Sequence, residues 1–556
     1  MKLKSRLVAG SGLVLSAVLA MTAVVGFDRA TAREPEADAP SNVRRLTETQ
    51  YRSTIADVFG PDIKVVGRFE PDLRVEGLLA VGTTAVSITP AGLDHYDAIA
   101  QGIAAQVTDA NHREKLVGCA PNAQDVDGAQ CAKSFFARVG PRLYRRALAP
   151  AEIRALASAA VSSAKLVGTF DGGLSTVLAG MMTSPEFLFR IDAPGKGGAQ
   201  VDGYSKASRL SYFLWNTAPD EALLKAAANG ALDTPEGLAK EVDRMMASPR
   251  LTDGVRAFFA DFLRLDDMAT LTKDTLLYPA FSPAVAEAAR EQTLRTIVDH
   301  VVTRDGDYRD LFTSRRFAMT KALGPIYDIP VSKSGWYIHE FPENDPRSGL
   351  LTQASLLALH SHPGRTSPTL RGVGTLEVLL CQKTPPPPPD VNFSVVQDVN
   401  NPTLKTTRER LQAHLTNEQC ATCHRATDPI GLALEQFDGA GTFRTTERGD
   451  RIDVSGKFER QDFNGAAELG KILRQSPRVS SCLVSSVWRY ANGRDPSPAD
   501  AADVEAMKRR FTDDGYRVTA LMRTIALDPE FYAYSRPQPS PEPKRQASQD
   551  KKGRNS

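Results

Sequence analysis

The sequence predicts a mainly α, multidomain helical protein, and three observations carry that prediction. Apolar residues recur at helical spacing behind recognisable N-terminal caps along most of the chain. Strand-like alternation is scarce and short, as in Arg451-Ile452-Asp453-Val454-Ser455-Gly456. The 556 residues exceed what a single core organises and correspond to about three or four domains. A hydrophobic content of 42% and a charged content of 24% are those of ordinary globular protein.

Taken in order, the chain opens with Lys2, Lys4 and Arg6, followed by an uncharged Leu/Val/Ala-rich stretch from Leu7 to Phe27 and by Ala30-Thr31-Ala32. That is the layout of a secretory signal peptide over residues 1–32. An uncleaved anchor is the competing reading, because the apolar stretch is nearly long enough to span a bilayer. No later segment is apolar enough to cross, so after cleavage the chain is expected in the periplasm or outside the cell, without a membrane span.

Residues 33–110 read as a first helical domain. Thr47 caps a helix with Gln50 reaching back, and Tyr51, Ile55 and Phe59 share one face. Residues 111–195 form a second, in which Pro150 opens an Ala-rich helix carrying Ile153, Leu156 and Val161. A Gly-rich break from Gly195 to Gly203 leads to a central helical domain over 200–330. Residues 345–447 include the run Pro385 to Pro389, expected as stiff polyproline II. A C-terminal helical domain follows over 450–534. The polar tail 535–556 lacks the apolar residues to fold. The net charge of +2, with cations dispersed among acids, gives no support for nucleic-acid binding.

Six cysteines in an exported chain suggest pairing. Cys119 and Cys131 flank a Pro/Asn/Asp/Gly-rich loop and make the expected local disulfide. The motif with a specific mechanism is Cys420-Ala421-Thr422-Cys423-His424. In C-x-x-C-H, two thiols on one turn add across the two vinyl groups of a haem, and the adjacent histidine becomes the proximal iron ligand. One covalent haem c is therefore expected on Cys420, Cys423 and His424. Residues 345–447 then become a small cytochrome c-like haem-attachment module near the C-terminus. The second ring nitrogen of His424 needs an acceptor, which a nearby backbone carbonyl could supply. Cys381 and Cys482 are left over and are expected to pair. Weak candidates for the distal ligand are His414 and His362 in polar segments, and Met507, which reads first as core packing with Val504 and Phe511.

Other readings of the same residues stay open. Cys420 and Cys423 can close a disulfide, form a thioredoxin-like pair in a βαβ setting not found here, or bind zinc with further ligands. H-E-x-x-H, Walker A, G-x-S-x-G and G-x-G-x-x-G motifs are absent. Asp428, Glu435 and Asp438 read as turn and cap residues, Pro219-Asp220 as a helix start, Phe213 and Trp215 as core aromatics, and Arg371-Gly372 as a tight bend. The functions left are a periplasmic electron-transfer or redox protein with a partner protein, acting as an oxidoreductase if the iron stays open, or a haem-free envelope scaffold with Cys420 and Cys423 paired. A hydrolase rests only on export and uncommitted acids.

Several segments together resemble a planctomycete-type cytochrome-associated multidomain family. They are Ala207 to Asn216 with Ala218-Pro219-Asp220-Glu221, Arg347 to Gln353, and Ser367 to Gly372 leading to Cys381. The stretch from Cys420 through Asp428-Pro429-Ile430-Gly431 to Arg444 belongs to the set, as do Cys482-Leu483 and Tyr490-Ala491-Asn492-Gly493-Arg494. The resemblance is to domains of unknown function 1587, 1595, 1592, 1588 and 1585, in chain order, over nearly the whole mature chain. It implies an exported, haem-c-bearing protein with no assigned reaction. Many relatives carry a further cytochrome c domain ahead of the first helical module. Here Arg44-Arg45-Leu46-Thr47 follows the expected cleavage site closely, so a single haem is expected.

Overall fold

A computed structural model describes residues 42–385, 394–415 and 418–534. The expected signal peptide, most of the proline run and the C-terminal tail lie outside them. Among the described residues the chain is mainly helical, and its strands form four two-stranded antiparallel ribbons. No helix there is long and apolar enough to cross a membrane.

The first helix, Glu48–Phe59, begins at the capping box read from the sequence. Thr47 Oγ1 accepts from Gln50 N while the Gln50 side chain accepts from Thr47 N. Tyr51, Ile55 and Phe59 are buried and join Tyr96, Phe136 and Phe187 in an N-terminal core. Val43–Arg45 pairs with Phe189–Ile191, so one ribbon ties the beginning of this unit to its end. The Ala-rich helix Pro150–Val167 departs from its expected face. Ile153, Leu156 and Val161 are only half-buried, whereas Ala157 and Ala160 are buried. The neighbouring helix Phe170–Thr183 comes so close that a Cβ on Gly173 would lie 2.3 Å from Ala160 O. Only small side chains fit between backbones at that spacing.

The glycine-rich break is pinned rather than loose. Val201 N donates to Tyr532 O, and Tyr534 N donates to Ala199 O, which brings the end of the described chain back to it. Helix Gly203–Leu214 is capped by Asp202 and helix Glu221–Ala228 by Asp220. Phe213 and Trp215 are buried, and Trp215 Nε1 donates to Met245 O at 3.0 Å. They sit in the larger core, which also takes in Ile430 and the helices Pro477–Asn492, Ala501–Asp513 and Val518–Ala526.

The alternating stretch 451–456 is divided between two ribbons. Arg451 pairs with Thr446, Ser455 pairs with Asn464, and Ile452 and Val454 are buried between them. Both expected disulfides are formed, Cys119–Cys131 with Cα atoms 5.6 Å apart and Cys381–Cys482 with Cα atoms 5.3 Å apart.

Candidate functional site

The C-x-x-C-H motif lies on one helix, Glu418–Leu432. Residues four apart share a helix face, so His424 stands one turn from Asp428. His424 Nδ1 and Asp428 Oδ2 are 2.8 Å apart, with side chains 15% and 5% exposed. Asp428 is itself held, because its Oδ1 accepts from Thr369 Oγ1 at 2.8 Å and from Thr427 Oγ1 at 3.2 Å. The partner of His424 Nδ1 is therefore this carboxylate, where the sequence had offered a backbone carbonyl. Asp428 lies inside a helix, which corrects its reading as a turn or cap residue.

Two glycines set where this helix lies. A Cβ on Gly431 would be 1.8 Å from Pro368 O, and one on Gly372 would be 2.0 Å from Thr427 O. Helix Pro368–Gly374 and the motif helix thus touch backbone to backbone, which brings Thr369 within reach of Asp428. Arg371-Gly372 is accordingly a helical pair and not a tight bend. The Arg371 guanidinium is buried and donates to the carbonyls of Leu434, Phe437 and Asp438. Burial pushes its pKa down to about 10 against the opposing pull of Glu435. Glu435, also buried, accepts from Thr366 at 2.8 Å and from Arg444 at 3.0 Å. Arg347 repeats the device by donating to Thr352 O, Ile326 O and Gly441 O. Asp438 is the turn residue expected, its Oδ1 accepting from Ala440 N and Thr442 N.

Of the sequence-predicted ligands, Cys423 and His424 share this helix and are partly exposed. Cys423 carries a free thiol. Cys420 falls within the helix and His414 ends the preceding one, Thr407–His414, but their side chains lie outside the described set. His362 is half-buried, and its carbonyl accepts from Lys273. Met507 is buried with Val504 and Phe511 on a helix that packs against Pro477–Asn492 and Val518–Ala526, as core packing predicts. Among the described residues, no cluster of three or more His, Cys, Asp or Glu has the arrangement of a metal site.

A cleft of about 360 Å³ opens beside Pro368 and Thr369. Val396, Val399 and Leu411 give it apolar wall, and Arg365 and Arg410 give it positive charge. Arg410 is paired with Glu447 at 2.7 Å, whereas Arg365 has no ion pair among the described residues. Burial and then the nearby Arg410 hold Arg365 below the usual arginine range.

Sequence reasoning missed two members of this site, Asp428 as the partner of His424 and Thr369 as the anchor of Asp428. The i, i+4 spacing from His424 was the available signal for the first. Nothing local signalled the second.

Comparison with known families gives five matches, each described as a protein of unknown function: DUF1587 over residues 44–109, DUF1595 over 131–192, DUF1592 over 201–329, DUF1588 over 347–447 and DUF1585 over 459–531. No curated protein and no solved structure matches the chain. With these five segments in this order, the chain belongs to the planctomycete-type family of multidomain proteins built from them.

Proposed function

We propose that the protein is an exported c-type haem protein that holds one haem on Cys420, Cys423 and His424 and exchanges electrons with a periplasmic partner protein. The observation that carries this reading is the contact between His424 Nδ1 and the buried Asp428 carboxylate. An iron-ligating imidazole needs its second nitrogen tied to an acceptor, and a carboxylate both orients the ring and raises its donor strength. With Nδ1 held by Asp428, Nε2 is the nitrogen that would ligate the iron in this reading. The free thiol of Cys423 and its partial exposure suit covalent attachment. The neighbouring cleft is of small-molecule size, with apolar wall for a macrocycle and Arg365 to meet a carboxylate. When bound, the haem supplies a one-electron iron couple. The two disulfides are compatible with an oxidising compartment.

The test is expression with a c-haem attachment system, followed by intact mass, haem staining and optical spectra. A haem mass increment with a c-type α-band is expected, lost in the Cys420→Ala/Cys423→Ala double variant. Asp428→Asn keeps the increment but raises the midpoint potential, because the imidazole becomes a weaker donor. A colourless product of full polypeptide mass sinks the reading. It would leave a haem-free envelope scaffold, which the extent of buried framework beside one small site favours as the second reading.

A further inference from the structure

The first ribbon sets two arginines opposite each other. Arg44 and Arg190 are direct partners in the antiparallel register, so their side chains leave the same face. Like charges opposed in a ribbon repel, and here both are also taken out of water, at 6% and 8% exposure. Arg209, at 4%, lines the same small cavity, together with Gln50 and Tyr212. Asp192 is the carboxylate of this cluster, and Arg209 engages it through Nε at 2.9 Å and Nη2 at 2.7 Å. Three guanidinium groups therefore face one carboxylate that is already bound.

The donors of this cavity are left over. Arg44 donates to Ala491 O and Asn492 O, but its Nε has no partner. The Arg190 guanidinium makes no hydrogen bond to any described residue, its buried Nε is unsatisfied, and it lies over the Tyr212 ring at 5.0 Å. The Gln50 carbonyl is taken by Thr47 N, while its amide nitrogen has no partner among the described residues. A guanidinium has donors and no acceptor, and the same holds for an amide nitrogen. A water accepts about two such bonds and leaves its own hydrogens pointing at cations. A halide accepts more and also cancels the charge. The cavity has room for about one water-sized particle, which excludes phosphate and larger oxyanions.

We propose that this cavity is a buried binding site for a chloride-sized monoanion, held between Arg44, Arg190 and Gln50. Burial first, then mutual repulsion, holds Arg44 below the usual arginine range, and burial brings Arg190 down to about 10; an anion opposes both effects. The site joins distant parts of the chain. Arg44 reaches the end of helix Pro477–Asn492, and Arg209 reaches Phe531 O and Ala533 O. The anion thus neutralises the charge at the junction of the first, central and last segments.

The experiment uses the full chain, exchanged from chloride into gluconate at constant ionic strength, with chloride titrated back during thermal unfolding. A saturable Tm rise of about 2–4 °C is expected for the unmodified protein and is lost in Arg190→Met. Crystals soaked in bromide give an anomalous peak in the cavity, a readout that stands if Arg190→Met fails to fold. Equal Tm in chloride and gluconate, a response that rises without saturating and is the same in Arg190→Met, or bromide peaks only elsewhere would each overturn the proposal.

Discussion

His360 illustrates how a single side chain takes its chemistry from its surroundings. Its ring lies against the backbone of Gly374, where a Cβ would come within 2.4 Å of it. Burial, then the nearby Arg264 and Arg371, push its pKa down to about 4, opposed only by Glu377. In the unfolded chain an exposed histidine titrates near about 6.5. Between those two values the unfolded state binds the proton and the folded state does not, so stability falls as pH drops from about 6.5 toward 4 and is fully present above that window. Denaturant unfolding at pH 7.5 and pH 5 is expected to differ by about 1–2 kcal/mol through this residue. The His360→Gln variant removes that part of the slope, and an unchanged slope would refute the assignment. The same surroundings explain Arg371, whose three shortest carbonyl contacts, to Leu434, Phe437 and Asp438, reach more than sixty residues along the chain.

Helices here are positioned by what lies between them as much as by their own periodicity. The motif helix meets Pro368–Gly374 through Gly431 and Gly372, with no room for a side chain at either crossing. Gly431→Ala is expected to force the two helices apart at a cost of about 1–3 kcal/mol, seen as a lower Tm. Gly180→Ala, in open space on a helix, is the control and leaves Tm unchanged or raised. The capping box at Thr47 and Gln50 was legible because a cap needs only four consecutive residues. Asp428 was not, because Pro429 follows it, and a residue before proline usually ends a helix. Here the helix runs on to Leu432, and that continuation puts Asp428 on the face of His424. The alanine face of Pro150–Val167 was misjudged for a related reason. Periodicity ranks large apolar residues first, whereas close helix contact selects small ones.

At the scale of the whole molecule, long-range ties close the chain upon itself. The Cys381–Cys482 bridge links residues 101 apart, and Cys119–Cys131 links residues 12 apart. In the chain-entropy account the longer loop contributes about 4–5 kcal/mol and the shorter about 3. Replacing Cys381 and Cys482 by serine is thus expected to lower the unfolding free energy more than replacing Cys119 and Cys131, as denaturant titration of the two double variants would show. An equal or reversed order would mean that the unfolded chain is already constrained near residues 381 and 482. The returning segment 532–534, the Arg74–Asp261 pair at 2.7 Å and the Arg209–Asp192 pair at 2.7 Å add to the same closure.

The amino-acid sequence by itself determined the capped helices, the scarcity of strand, the local Cys119–Cys131 pair and the identity of the C-x-x-C-H motif. Each depends on residue type, short spacing or a count. Only the tertiary structure decided that Asp428 holds His424, that Arg347 and Arg371 clamp distant carbonyls, and that Arg44 and Arg190 face one another around a cavity. Those pairings depend on where a buried polar group finds its partner. Burial makes a partner obligatory, but its place along the chain is set by which helices and strands come together.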